Sequence, residues 1–260
     1  MKHDSRASVL MYHALESPDM PCGLQESGEL VYVVDESRFR LHMTLIEKSG
    51  ARVTLPGDSL SSSTRGDVIL TFDDGHRSGY SLALPILSES GLSAIFFITT
   101  DWTGKDHYLT REQIKQLHDS GMMIGSHGIS HRFMTDLTDD ELTAELTGSK
   151  ESLESIIGED VTSFSAPGGR IDRRVTMAAL KAGYRWIFSS EPSGNIELTE
   201  GVPAGRFAVT ATSSDEWVSR VISGNPPCSA LVRYRTLSLI KRILGNRLYE
   251  SIRGSIIGNE

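Results

Sequence analysis

A chain of 260 residues with 38% apolar and 23% charged residues is long enough to bury the core of one large α/β domain or two small ones. Its formal net charge of −8 argues against a general nucleic-acid binder, which needs a basic surface. Two cysteines, Cys22 and Cys228, are too few for a disulfide framework, and no window of about 18 apolar residues predicts a membrane span. We therefore expect a cytoplasmic protein that binds no nucleic acid.

The predicted elements alternate between strands and helices along the chain. In chain order they are a strand at 9–12, a helix at 36–49, strands at 51–55 and 68–72, a helix at 80–90, a strand at 94–99, a helix at 110–120, a strand at 122–125, helices at 138–157 and 175–182, and a strand at 186–189. Continuous apolar strands separated by helices predict a parallel sheet covered on both faces. Chemistry in such folds lies at the carboxyl ends of the strands.

Two short motifs directly follow predicted strands and carry the residue types of a metal centre. The first is TFDDG at 71–75, with Asp73 and Asp74 side by side, and the second is SHGISH at 126–131, with His127 and His131 four residues apart. Alone, the aspartates fit a structural turn as well as a functional site, and the histidine spacing alone favours chance over metal binding. Together, they favour a divalent metal held by one aspartate and both histidines, with the other aspartate free to act as a base.

The motifs TFDDG at 71–75, SHGISH at 126–131 and APGG at 166–169 resemble the first three motifs of the polysaccharide deacetylases, the NodB-homology domain of carbohydrate esterase family four. The similarity extends over about residues 8 to 210. It implies a distorted (β/α) barrel of about seven parallel strands, with the catalytic site at the C-terminal ends of the strands. It further implies that a divalent metal, usually zinc and in some members cobalt or nickel, is held by Asp74, His127 and His131.

The resemblance also implies that Asp73 is the general base, but the chain departs from the family at the general acid. The family carries a histidine near the C-terminus, whereas no histidine follows His131 here. Either the acid is lost, or it comes from elsewhere in the chain. The pair Tyr12-His13 resembles a Tyr-His pair in a subgroup that acts on exopolysaccharides, in which the last strand is permuted to the N-terminus. This favours His13 as the acid over a histidine that only caps the barrel end.

The third motif departs as well, because Ser165 stands where the family has an arginine that orients the catalytic aspartate. Arg170 and Arg206 are candidates to replace it, and either is equally compatible with a surface charge. The glycines of the motif fit a close approach of backbone to a sugar, and equally an ordinary tight turn. The predicted substrate-binding residues are Pro167, Gly168, Gly169 and Arg170.

Smaller features complete the expected site. A backbone N–H after Asp74 is expected to stabilise the oxyanion together with the metal, and His76 is expected to face solvent at a helix start. Trp102 and Tyr108 are candidates to stack on sugar rings. The segment 17–35 forms either a lid beside the site or a plain surface loop.

The predicted barrel comprises residues 1–225, and residues 226–260 are predicted to form a separate basic amphipathic helix. Residues 231–254 carry six basic side chains against one acidic side chain, with leucine and isoleucine at helical spacing. Such a helix either contacts an anionic membrane surface, which would make the protein peripheral to the membrane, or packs on the barrel.

The sequence thus predicts a metal-dependent hydrolase that removes N-acetyl groups from a sugar or polysaccharide. One alternative is a hydrolase of a non-sugar amide that uses the same metal site. The other is a catalytically inactive glycan-binding homologue. The expected partner is an acetylated sugar or glycan, and the sequence predicts no oligomeric state.

Overall fold

Buried apolar runs form the strands, and the amphipathic segments between them form the helices. The computed structural model describes residues 7–58, 66–193 and 196–227. Its strands are β1 (Ala7–Tyr12), β2 (Ala14–Glu16), β3 (Val33–Asp35), β4 (Arg52–Val53), β5 (Asp67–Phe72), β6 (Ile95–Ile98), β7 (Met123–Ser126), β8 (Ser163–Ser165), β9 (Trp186–Phe188) and β10 (Phe207–Ala208). Its helices are α1 (Ser27–Leu30), α2 (Glu36–Ser49), α3 (Leu84–Glu89), α4 (Arg111–Asp119), α5 (Asp139–Ile157), α6 (Arg173–Lys181) and α7 (Asp215–Ile222).

One parallel sheet organises the molecule. Its strand order is β10-β1-β5-β6-β7-β8-β9, and β4 also pairs with β5. Every residue of β1 and β5 is buried, as expected for strands of a parallel sheet covered on both faces. The strands β2 and β3 pair with each other in a separate small sheet. The predicted distorted (β/α) barrel of about seven parallel strands is confirmed.

A short segment, 204–208, contacts both edges of the curled sheet. Its Ala204 bridges to Phe188 of β9, and its Phe207 pairs with β1. The side chain of Arg206, between these two contacts, has no exposed surface. The segment therefore brings a guanidinium into the interior of the sheet.

Strand alternation decides which side chains point into that interior. Ile69 and Phe97 belong to a small core cluster made of strand and connecting residues, whereas Leu70 and Phe96 pack in the larger cluster that includes the helices. Because side chains alternate along a strand, Asp73 shares the interior direction of Ile69. This parity aims a carboxylate at the inside of the sheet, at the carboxyl end of β5.

Three predicted helix boundaries agree with the structure. The N-cap side chains of Thr110 and Thr138 form capping boxes with Gln113 and Glu141. The helix α2 ends at Gly50, whose φ of 69° is the left-handed conformation that glycine adopts without a Cβ penalty.

Two predicted segments differ from the structure. The segment 17–35 contains α1 and β3, because Val33 and Val34 are buried against their neighbours. The helix predicted at 80–90 begins with a π-helical turn, Gly79–Ala83, ahead of α3. The strands β2 and β10 were not predicted because two or three residues give too little periodic signal.

Within the described part of the chain, no helix combines the length and apolar character needed to cross a lipid bilayer. The predicted amphipathic helix at 226–260 lies outside the described residues from position 228 onward.

Candidate metal and catalytic site

The three predicted metal ligands meet at the carboxyl ends of β5 and β7. One ligand atom from each of Asp74, His127 and His131 lies within 4.8 Å of the others. The Oδ1 of Asp74 is 3.3 Å from Nε2 of His127 and 3.2 Å from Nε2 of His131. Two motifs separated by about fifty residues thus form one cluster of nitrogen and oxygen donors.

The hydrogen bonds of His127 show that this cluster fits a cation. Its Nδ1 lies 2.8 Å from the carbonyl oxygen of Ser165, which can only accept, so Nδ1 carries a proton. In the neutral ring, the lone pair of Nε2 then faces Asp74. The Oδ1 of Asp74 is buried without a hydrogen-bond partner among the described residues. A divalent ion between these lone pairs would satisfy them, and the bond to Ser165 fixes the ring as in known histidine ligands.

Two of the three ligands have an uncommon backbone conformation. Asp74 has a φ of 72° and His131 a φ of 60°, both in the left-handed region that non-glycine residues rarely adopt. Strained backbone persists only where surrounding contacts enforce it, and it clusters at functional sites. The ligand geometry is therefore held by the fold.

Asp73 lies beside the cluster and is bound by Arg206. The two guanidinium nitrogens Nη1 and Nη2 each donate to one carboxylate oxygen at 2.7 Å. The remaining donors reach Thr71 Oγ1 at 3.2 Å, Ser165 Oγ at 2.8 Å and the carbonyl oxygen of Ser189 at 3.0 Å. All five N–H groups are thus used. Of the two predicted candidates, Arg206 is the one that orients the aspartate.

Charge sets the protonation of both aspartates. Burial acts to raise the pKa of Asp73, but Arg206, with His127 and His13, outweighs it and holds the pKa below its ordinary value. Burial is likewise opposed at Asp74, where the adjacent His127 and His131 imidazoles hold the pKa well below its ordinary value. Asp73 is therefore ionised at neutral pH, and its Oδ2 lies 3.9 Å from Nε2 of His127.

Arg170 packs on Phe133, whereas Arg206 binds both carboxylate oxygens of Asp73, so the orienting role belongs to Arg206. Its guanidinium carbon is 3.4 Å from the centroid of the Phe133 ring. A Cβ added at Gly168 would lie 2.6 Å from that same ring, and one at Gly169 would lie 2.4 Å from the backbone nitrogen of Ser190. The glycines are thus required by the protein's own packing, as the tight-turn alternative states. Substrate binding by Pro167, Gly168, Gly169 and Arg170 stays a prediction.

His13, which directly follows β1, lies close enough to Asp73 and Asp74 for their charges to act on its ring. Its ring stacks on Tyr32 with centroids 4.4 Å apart. Burial lowers the pKa of His13, and the charges of Asp74 and Asp73 oppose that effect without reversing it. Its Nδ1 is buried with no hydrogen-bond partner in the described ranges. The role of His13 as the acid stays a prediction.

Aromatic side chains border the ligands, as the sequence indicated. The ring of Trp102 is 4.8 Å from that of His131 and 4.7 Å from that of Tyr108. The stack of Tyr32 on His13 was not predicted, because Tyr32 lies in a segment whose periodicity gave no element.

The expectation for His76 is wrong, and the first backbone N–H after Asp74 is already hydrogen-bonded. His76 is buried: its Nε2 donates to the carbonyl oxygen of Cys22 at 3.0 Å, and its Nδ1 is bonded to Ser78. The N–H of Gly75, the first after Asp74, donates to the carbonyl oxygen of Asp73 at 2.9 Å. It is therefore engaged within the turn, and an oxyanion contact by a later backbone N–H stays a prediction.

Comparisons with known proteins find the family that the motifs resemble. Residues 61–187, which contain all three motifs, match the family described as polysaccharide deacetylase. The chain is 28% identical over 194 residues to YxkH of Bacillus subtilis, named as a candidate polysaccharide deacetylase, with 72% of this chain and 66% of YxkH covered. It is 29% identical over 133 residues to the peptidoglycan-N-acetylmuramic acid deacetylase PdaA of Bacillus subtilis, with 50% and 49% covered. The chain thus spans about half to two thirds of the length of these relatives.

The fold has a solved counterpart. The Streptococcus pyogenes deacetylase PplD, determined in complex with acetate, superposes with a TM-score of 0.71 at 21% identity, over 84% of this chain and 98% of PplD. At that identity the likeness concerns the fold alone. Because the family match spans all three motifs and the structure brings the first two together around one point, residues 61–187 are similar to a polysaccharide deacetylase domain.

Proposed function

We propose that the protein is a metal-dependent hydrolase that removes N-acetyl groups from a sugar or polysaccharide. The observation that carries this proposal is the cluster of Asp74, His127 and His131 with an ionised, arginine-bound Asp73 beside it. The match to the polysaccharide deacetylase family supports an acetylated glycan as the substrate. The name of PdaA, a relative that deacetylates N-acetylmuramic acid in peptidoglycan, supports an N-acetyl rather than an O-acetyl bond.

In this proposal, a divalent ion is held by Asp74 Oδ1, His127 Nε2 and His131 Nε2. Two imidazole nitrogens and one carboxylate suit zinc, and cobalt or nickel accept the same donors. When bound, the ion supplies Lewis-acid chemistry, because it lowers the pKa of a water molecule and polarises an acetamide carbonyl.

Asp73 is the proposed general base. The attacking water forms a bond to the acetamide carbonyl carbon and transfers a proton to the Asp73 carboxylate. Arg206 holds that carboxylate by both oxygens, so its position is fixed before the substrate arrives. The same ion pair keeps Asp73 ionised, which a base requires.

His13 is the proposed general acid. It donates a proton to the amide nitrogen as the carbon–nitrogen bond breaks, which releases acetate and a free amine. The two nearby aspartates support this assignment, because their charges favour the protonated His13 ring against the burial that lowers its pKa. Both groups return to their starting protonation by exchange with solvent.

The test is an acetate-release assay on N-acetylglucosamine oligomers with zinc-loaded protein, with a chelator-treated sample and the Asp73→Asn variant in parallel. We expect release by the wild type and no release by the variant, which should still bind zinc. Release that survives either treatment would contradict the proposed mechanism. Oligomer binding without release by the wild type would instead identify an inactive glycan-binding homologue.

A further inference from the structure

A buried carboxylate on α5 binds the loop between the two histidine ligands. Glu145 is only 7% exposed. Its Oε2 accepts the N–H of Ile129 at 2.7 Å and the N–H of Ser130 at 3.0 Å, and its Oε1 accepts the hydroxyl of Ser130. Three hydrogen bonds from two successive residues of the loop thus converge on one buried side chain. Glu145 is therefore a strong anchor for this loop.

The opposite side of the same loop is bonded to the turn after β6. The carbonyl oxygen of Gly128 accepts the N–H of Thr100 at 3.1 Å, and that of Ile129 accepts the N–H of Asp101 at 3.0 Å. The side chain of Ile129 packs on α5, where a Cβ added at Gly148 would lie 2.8 Å from its Cδ1. The loop is thus fixed by α5 from one side and by the β6 turn from the other.

This anchoring matters because the loop delivers a strained ligand. His131 follows Ser130 directly and has a φ of 60°. Without Glu145, two successive partly buried N–H groups would lose their acceptor, and we expect the loop to rearrange to reach water. A rearranged loop would release the left-handed backbone of His131 and move its Nε2 away from Asp74.

We propose that Glu145 is a positioning residue that presets His131 for the metal ion. This inference rests on the proposed metal site. Groups that orient metal ligands without touching the metal typically change its affinity by about 10- to 100-fold when removed. The bond of Nδ1 to Ser165 already fixes the His127 ring. Glu145 therefore acts on His131, through the backbone of the loop that precedes it.

The test measures zinc and cobalt dissociation constants by competition with a chromophoric chelator. We expect Glu145→Ala to bind either metal about 10- to 100-fold more weakly than the wild type. Glu145→Gln should stay within about fivefold, because its amide oxygen still accepts both N–H groups and its NH₂ can donate to the Ser130 hydroxyl. The matched control is Glu151→Ala on the exposed face of the same helix, which should bind as the wild type does.

The outcomes separate the inference from the proposed function. A wild type that binds neither metal would overturn the proposed function. If the wild type binds metal and the dissociation constant of Glu145→Ala is within twofold of the wild-type value, the positioning role alone would be overturned. A purely structural residue would lower the melting temperature of the metal-free protein without changing the dissociation constant. If Glu145→Ala does not fold, amide exchange in the metal-free wild type decides. Slow exchange at Ile129 and Ser130 is expected, and exchange as fast as in an unfolded peptide would overturn the presetting.

Discussion

At the scale of single residues, the pair of Asp73 and Arg206 determines what the site can do. The sequence predicted Asp73 as a base from its motif, and it left Arg170 and Arg206 as equal candidates to orient it. No local pattern could decide between them, because Arg206 is separated from Asp73 by 133 positions and has no periodic neighbours. The structure decides between them. The segment 204–208 contacts both β1 and β9, and it brings Arg206 into the interior of the sheet, which Asp73 also faces.

Removal of Arg206 should leave a buried carboxylate without its cation. Asp73 is 3% exposed, and loss of one partner of a buried ion pair typically lowers the free energy of unfolding by about 3 to 5 kcal/mol. We expect Arg206→Met to do so in urea unfolding experiments. The double variant Asp73→Asn, Arg206→Met should lose less than the sum of the two single changes, because no charge is then left unpaired. Strict additivity would show that the pair is not coupled.

His13 tests the proposed acid independently of the base. We expect His13→Ala to lower kcat by at least about 100-fold, because the leaving nitrogen then has no positioned proton donor. The zinc affinity should stay close to that of the wild type, since His13 is outside the ligand cluster. Added imidazole should restore part of the rate in the variant. A near-normal kcat in steady-state assays would exclude His13 as the acid.

At the scale of elements, the sequence predicted those with a local cause and missed those without one. Capping boxes at Thr110 and Thr138 and the glycine stop after α2 are local, and all three are confirmed. The strand β10 and the role of Glu145 depend on partners distant in sequence. In the sequence, Glu145 cannot be told from an ordinary charged residue of a helix. Its role becomes visible only in the structure, where it contacts the loop between the two histidines.

The spacing between β7 and its neighbours should be sensitive to a single methyl group. A Cβ at Gly125 would lie 2.5 Å from Cδ1 of Phe97 and 3.1 Å from the carbonyl oxygen of Ser163. We expect Gly125→Ala to lower the free energy of unfolding by about 1 to 3 kcal/mol through overpacking. Gly28→Ala, where nothing lies within 4 Å of the added atom, is the matched control and should be neutral or slightly stabilising. Equal stabilities of the two variants in thermal unfolding would contradict this packing argument.

At the scale of the whole molecule, the buried histidine of α2 links folding to pH. His42 is 1% exposed, and its Nδ1 is hydrogen-bonded to the Tyr12 hydroxyl of β1 at 3.1 Å. The charged groups that face it are Arg38 on its own helix and Asp215 of α7, whose carboxylate is 3.9 Å away. Burial first, and then Arg38, lower the pKa of His42 from 6.5 to about 4, against the opposite effect of Asp215.

Acid should therefore destabilise the fold through His42 between pH 6.5 and about 4. In this window the unfolded chain binds a proton at His42 that the folded chain does not, so the free energy of unfolding falls as the pH falls, by up to about 1.4 kcal/mol per pH unit. Above pH 6.5 both states are neutral at this residue and its contribution is constant. His42→Asn keeps an acceptor for Tyr12 but has no proton to bind. We expect the difference between wild-type and variant stabilities, measured by urea unfolding of metal-free protein, to shrink or change sign as the pH falls from 6.5 to 4. Groups common to both proteins cancel in this difference, so parallel stability curves would mean that His42 is not the source of the acid sensitivity.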